Sequence, residues 1–250
     1  MFRVAVLIPS PPVLVPELCG GLPDVGADHP AAEVPVLREA VMGAGRSLAA
    51  QARRWTVVGV GDEDRVIGPD VVGTFRGFGA DVRVALSGSA HTTPDPDLPL
   101  AALIGAWLRG QVAADAVARA RIVAAAADPQ RCLDLGATLR KEMDATAEPC
   151  GVLVVADGAA TLSTRAPGYL DPRAEGVQQR IDTALAAGDR AALAALDPGL
   201  CAEIEARGRA AYQVLAGLFT ADGDDPDVET RYAAAPFGVG YQVSVWRAAS

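Results

Sequence analysis

Short Val-rich apolar runs, separated by stretches of helical period, constrain this chain more than anything else in it. Segments 2–8 (FRVAVLI), 56–61 (TVVGVG), 82–86 (VRVAL) and 151–156 (GVLVVA) share this pattern, and each ends at polar or turn residues. A strand that is apolar on both faces must be covered on both, as in parallel sheets wrapped by helices. A last strand is expected at 239–246, where Val239, Tyr241, Val243 and Val245 alternate with Gly240, Gln242, Ser244 and Trp246. Between the runs the period changes. Leu37, Val41 and Leu48 predict a helix over 36–53, and Leu100, Leu103, Ile104, Trp107 and Leu108 predict another. Asp-Pro pairs at 128–129, 171–172 and 197–198 mark three helix starts, with Asp as the cap and Pro in the first turn. The stripe Val177, Ile181, Leu185 ends near Gly188, and Ile204, Tyr212, Leu215 and Phe219 continue on the next helix. The expectation is a single α/β domain over 1–250, with a central mostly parallel or mixed sheet flanked by helices.

Half the residues are apolar and 21% are charged, so the chain can bury a large core. With 22 basic against 31 acidic residues the formal charge is −9, which disfavours nucleic acid and anionic membrane surfaces as partners. The apolar start is broken by Pro9, Pro11, Pro12 and Pro16, so it reads as a strand, not a signal peptide, and no other run of about 18 uncharged apolar residues spans a membrane. Cys19, Cys132, Cys150 and Cys201 form no CxxC pair and read as buried free thiols in a reducing cytosol, which predicts a cytoplasmic protein. The acidic stretch 222–229 (DGDDPDVE) places Pro226 where a calcium loop needs a ligand, and is expected to be a solvated loop.

Several common chemistries fail on inspection. GVGDED at 59–64 begins like a dinucleotide fingerprint, but Asp64 stands where close helix packing needs the third glycine. The chain has neither a GxxxxGK[ST] phosphate loop nor a GxSxG nucleophile elbow. His29 and His91 are the only histidines, and both lie in loops that read as surface. An iron site of two histidines and a carboxylate would consume both and leave none for acid/base work.

Sheets of this kind place their sites at the carboxyl ends of strands. Ser10, Asp62 and Asp157 lie just after strands or in the turn that follows, as do Thr161 and Tyr169, and the 236–241 loop (PFGVGY) with Phe237 is expected to close the same cleft. Ser10, Asp62, Asp157 and the 236–241 loop are expected to converge at one end of the sheet, and Ser10, Asp62, Asp157, Thr161, Tyr169 and Phe237 to line a polar small-molecule pocket. Turn chemistry accounts for each singly: Asp157-Gly158 is a turn signal, and Gly238 and Gly240 permit tight turns. Asp62 and Asp157 could alternatively act as an acid/base pair or hold Mg²⁺ or Mn²⁺.

Three stretches carry a family resemblance: VLIPSPPVLVPEL at 6–18, VVADGAATLSTRAPGYLDPRAE at 154–175, and RYAAAPFGVGYQV at 231–243. On these the chain resembles the class III extradiol ring-cleavage dioxygenases, the LigB-like family that also includes the Memo-type proteins. In that family a Pro-His-Pro-Pro turn after the first strand supplies an iron-binding histidine, and here Ser10 fills its place. The second histidine's place falls on or near Asp62, the carboxylate ligand's at Ala233 or Ala234, and the acid/base histidine's at Thr161. The resemblance implies the family's fold without its iron or any other cofactor. It points to a pseudoenzyme that binds a small molecule or a protein partner in the former active-site cleft. The alternative is an enzyme, either a carboxylate and divalent-metal hydrolase or lyase, or a residual dioxygenase.

Overall fold

The structure is a computed structural model that describes residues 1–19 and 29–249. Its elements run β1 (Phe2–Ile8), α1 (Val34–Gln51), β2 (Arg54–Gly61), β3 (Arg65–Ile67), β4 (Val72–Thr74), β5 (Arg83–Ala85), α2 (Leu100–Val112), β6 (Val117–Ala124) and α3 (Pro129–Asp144), then β7 (Cys150–Val155), α4 (Ala174–Ala187), α5 (Arg190–Ala194), α6 (Pro198–Glu203), α7 (Arg209–Leu218), β8 (Asp227–Ala234) and β9 (Tyr241–Arg247). The central sheet has seven strands in the order β3-β6-β2-β7-β1-β9-β8. Its middle is a parallel block, β6-β2-β7-β1, closed by antiparallel β3 on one side and by the β9-β8 pair on the other. This is a single-domain mixed α/β sandwich, as the apolar runs predict.

Each face of the sheet has its own core. Val4, Val6 and Ile8 of β1 point into the layer covered by α1 and α2, where Leu37, Val41, Leu48 and Leu103 meet them. Ala5 and Leu7, one residue out of phase, point into the layer of α3, α4 and α7, with Leu139, Ile181 and Leu215. Pleating thus turns one uninterrupted apolar run into two buried half-sets. In β9 the expected alternation is present, but its second face is covered as well: Trp246 is buried and its indole N–H donates to Ser244 Oγ at 2.9 Å.

Four expectations need correction. Segment 82–86 is not a strand of the main sheet, because β5 is short and pairs only with β4, while Val84 and Leu86 reach the α2 core without a place in the sheet. Its place is taken by β6 (VARARIVA), where Arg119 and Arg121 interrupt the apolar pattern. Arg119 bonds Glu142 of α3 at 3.2 Å and Thr56 at 3.3 Å, so its long side chain covers the face that an aliphatic residue would fill. The acidic stretch is a loop only as far as Pro226, since β8 begins at Asp227. Within it Asp222 is held by Arg140 at 2.9 Å and Asp225 by Arg190 at 2.7 Å. Asp128 and Asp197 cap α3 and α6, but Asp171 does not cap α4. Its carboxylate accepts from the Arg173 amide at 2.8 Å and from the Arg173 guanidinium, which forms a turn and delays the helix to Ala174. That guanidinium holds Asp171 down to about 2. Cys132, Cys150 and Cys201 are buried free thiols, whereas Cys19 is only partly buried. Edge strand β8 carries a register shift between Thr230 and Tyr232, and Glu229 beside it pairs with Arg231 and Arg247. Among the described residues, no helix is long and apolar enough to cross a membrane.

The α3–α7 crossing has no spare room. A Cβ added to Gly136 would lie 2.2 Å from the Val214 carbonyl oxygen, a backbone atom that cannot swing aside. Gly136→Ala is therefore expected to cost about 1–3 kcal/mol, the usual range for overpacking, seen as a lower urea midpoint at unchanged slope. An unchanged midpoint would show that the two helices can part without loss.

Candidate functional site

The parallel strands all deliver their carboxyl ends to the same edge of the sheet, and neighbouring strands send the chain to opposite faces. A cavity of about 890 Å³ opens there. Its floor is the chain just beyond β1, β2, β6 and β7, at Ser10, Asp62, Ala125 and Asp157. One wall is the start of α2 at Leu100 and Ala101, and the opposite wall runs from Pro198 to Arg209.

At its centre the ends of β1 and β7 are clasped together. The Ser10 amide donates to Asp157 Oδ1 at 2.8 Å and its hydroxyl to Oδ2 at 2.5 Å, so both carboxylate oxygens serve one residue. Burial pushes the Asp157 carboxyl above its ordinary range, against the opposing pull of those two bonds. The Tyr212 and Tyr241 phenols are raised first by burial and then by the charge of Asp157. Behind the clasp, Gly158 N–H donates to the Gly240 carbonyl at 2.8 Å and Gly240 N–H to that of Ala159 at 3.0 Å. The buried Gln178 side chain of α4 fills the space that a Cβ at either Gly158 or Gly240 would need, and its oxygen accepts from the Ala159 amide at 2.7 Å. Both glycines are thus required by a side chain from another element.

Of the residues expected in the pocket, Ser10, Asp62 and Asp157 line the cavity together. Thr161, Tyr169 and Phe237 do not. Thr161 is buried and its hydroxyl donates to the Ile204 carbonyl at 3.0 Å, which pins the turn to the 198–209 wall. Tyr169 has a left-handed backbone (φ 61°) that throws its ring outward, leaving it 64% exposed. Phe237 packs instead, partly buried, on the core beneath α1 and α2. His29 caps the short helix at Pro30–Glu33 by accepting from the Ala31 amide, and both it and His91 are exposed.

The positions that the resemblance would set against iron ligands are taken up in other ways. Ser10 is committed to Asp157, and Ala233 and Ala234 lie on β8 with only methyl groups to offer. Among the described residues, no three His, Cys, Asp or Glu side chains group so as to hold a metal ion.

The sequence reading missed the whole far wall, with Glu205, Arg207, Gly208 and Arg209. Ile204 to Phe219 reads in sequence as a continuous helical stripe, whereas the chain breaks at 204–208 and Glu205 adopts φ 53°. The available signal was Gly208 between two arginines, just before an apolar helix.

No family model matches the chain, and no curated protein matches it. A crystal structure of an uncharacterized protein from Escherichia coli K12 is similar with a TM-score of 0.51 at 10% identity, over 98% of this chain and 99% of that one. The likeness is one of fold.

The clasp yields two expectations. Ser10→Ala removes one donor from a buried carboxyl and should cost about 1–3 kcal/mol in chemical denaturation. Asp157→Asn tests the shifted titration. A carboxyl raised on folding is protonated in both states below its ordinary value of 3.8, and the penalty for ionising it grows as pH rises toward the folded value. The melting temperature of the Asn variant minus that of the wild type should therefore increase between pH 4 and the point where the folded carboxyl has ionised. A difference that shrinks across this window would contradict the shift.

Proposed function

We propose that this chain is a diverged LigB-like protein that binds a small molecule in the cleft at the strand ends and does not open aromatic rings with iron. The Ser10–Asp157 clasp carries the reading. Where the resemblance would put a metal-binding histidine there is a closed hydrogen-bonded pair, and a cavity of about 890 Å³ lies above it. A ring-opening iron site needs two neutral imidazoles and a carboxylate with open positions beside them. Here the matched groups are a hydroxyl, an exposed carboxylate at Asp62 and alanine methyls. A cavity of that volume lies in the range of small-molecule sites, and its mixture of apolar walls with a few convergent polar groups is the usual composition of one. The family assignment rests on the three sequence stretches, two of which meet where Gly158 and Ala159 bond Gly240.

Metal analysis and an oxygen assay test the reading. Protein loaded with Fe(II) under anaerobic conditions, desalted and exposed to oxygen with a catechol should hold far less than one equivalent of iron and yield no yellow ring-opened product. Iron near one equivalent per chain, together with that product, would overturn it.

A further inference from the structure

The far wall of the cavity holds a buried cation whose bonds leave its charge unanswered. Arg209 is 3% exposed and lines the cavity, yet its hydrogen bonds run to the carbonyls of Ala127 at 2.7 Å and Ala125 at 2.5 Å and to Gln213 Oε1 at 2.8 Å. All three acceptors are neutral, and they use three of the five donors of a guanidinium. A buried charge without an opposite charge is costly, so the site favours an anion that comes within reach. Arg109 offers a contrast: it is also buried on backbone carbonyls, but the Asp115 carboxylate acts on it and it does not face the cavity. Arg209 is also the first residue of α7, whose amino end has no side-chain cap and adds partial positive charge at the same place.

The cavity's carboxylates do not cancel this potential. Asp157 has both oxygens engaged by Ser10, and burial raises its carboxyl, which favours the neutral form. Glu205 faces Arg207 at 3.9 Å, and Asp62 is exposed. The cavity lining is also partly aliphatic, with Val60, Leu100, Ala101, Ala125, Ala126 and Ala206. Resting on the reading of the cleft as a small-molecule site, we propose that its ligand is a small amphiphilic anion, a carboxylate or phosphate monoester on an apolar body, with its head on the Arg209 guanidinium and the amino end of α7.

Calorimetric titration of the full chain with hexanoate, hexyl phosphate, hexanamide, hexylamine and inorganic phosphate at one ionic strength tests this. At least one of the two amphiphilic anions should bind about tenfold or more tighter than the amide, consistent with one charge interaction in a partly buried site. Which of the two is tighter tells whether a carboxylate or a phosphate is the head group. Because Arg209 also ties α7 to the β6–α3 turn, the variants are placed at exposed Ala126, between its two carbonyl anchors. Ala126→Glu should weaken anion binding about tenfold more than Ala126→Gln does, while the two variants, matched in size, should bind hexanamide alike. Equal binding of hexanamide or hexylamine overturns the anion assignment but leaves the cleft reading standing. Inorganic phosphate as tight as hexyl phosphate, or anion binding that ignores Ala126→Glu, overturns the proposed pose. Failure of every probe removes both this inference and the cleft as a site for molecules of this size.

Discussion

Parallel pairing of β1, β7, β2 and β6 is the constraint on which the rest of the molecule depends. Parallel strands cannot be joined by tight turns, so each must send the chain over a face of the sheet before the next begins. The helices that carry the chain back are the ones that bury Val4, Val6 and Ile8 on one side and Ala5 and Leu7 on the other. The same pairing brings four strand ends to one edge, where the chain must turn toward opposite faces. Core and cleft are thus two results of one hydrogen-bonding pattern.

The clasp shows how two of these strand ends are joined side chain to chain. Ser10 and Asp157 are 147 residues apart in the chain but lie just beyond adjacent strands, and two hydrogen bonds join the strand ends. An isolated ionised carboxylate at this depth would be unfavourable. Two donors from one residue compensate part of that cost, and burial shifts the balance toward the neutral acid. Gln178 supports the clasp from behind by bonding Ala159 and filling the space beside Gly158 and Gly240. The cleft floor therefore depends on α4 as well as on the sheet.

The fold was legible in the sequence wherever burial alone chose the residues. β1, β2 and β7 are apolar on both faces because helices cover both, and nothing else competes for those positions. β6 was hidden because Arg119 covers the sheet with its stem while its head reaches Glu142. β5 misled for the opposite reason, since Val84 and Leu86 are apolar for the sake of α2. The site was half legible. Position after a strand identified Ser10, Asp62 and Asp157, since that rule follows from the topology. It did not identify Arg209, which reaches the cavity only because the chain breaks at 204–208, a break set by the Thr161 and Ala160 contacts to Ile204. Tyr169 was placed wrongly because the sign of its φ decides where the ring points, and composition does not encode that sign.

The register shift in β8 has a consequence for how the molecule meets its neighbours. A mixed sheet ends on at least one strand with a row of unpaired amides and carbonyls, the geometry that recruits a foreign strand. Here that row is kinked at Arg231, and Glu229, held between Arg231 and Arg247, sets paired charges along it. An approaching strand would have to match a bent ladder and displace ion pairs at the same time, so the border of the sheet acts as a guard against stacking into larger aggregates.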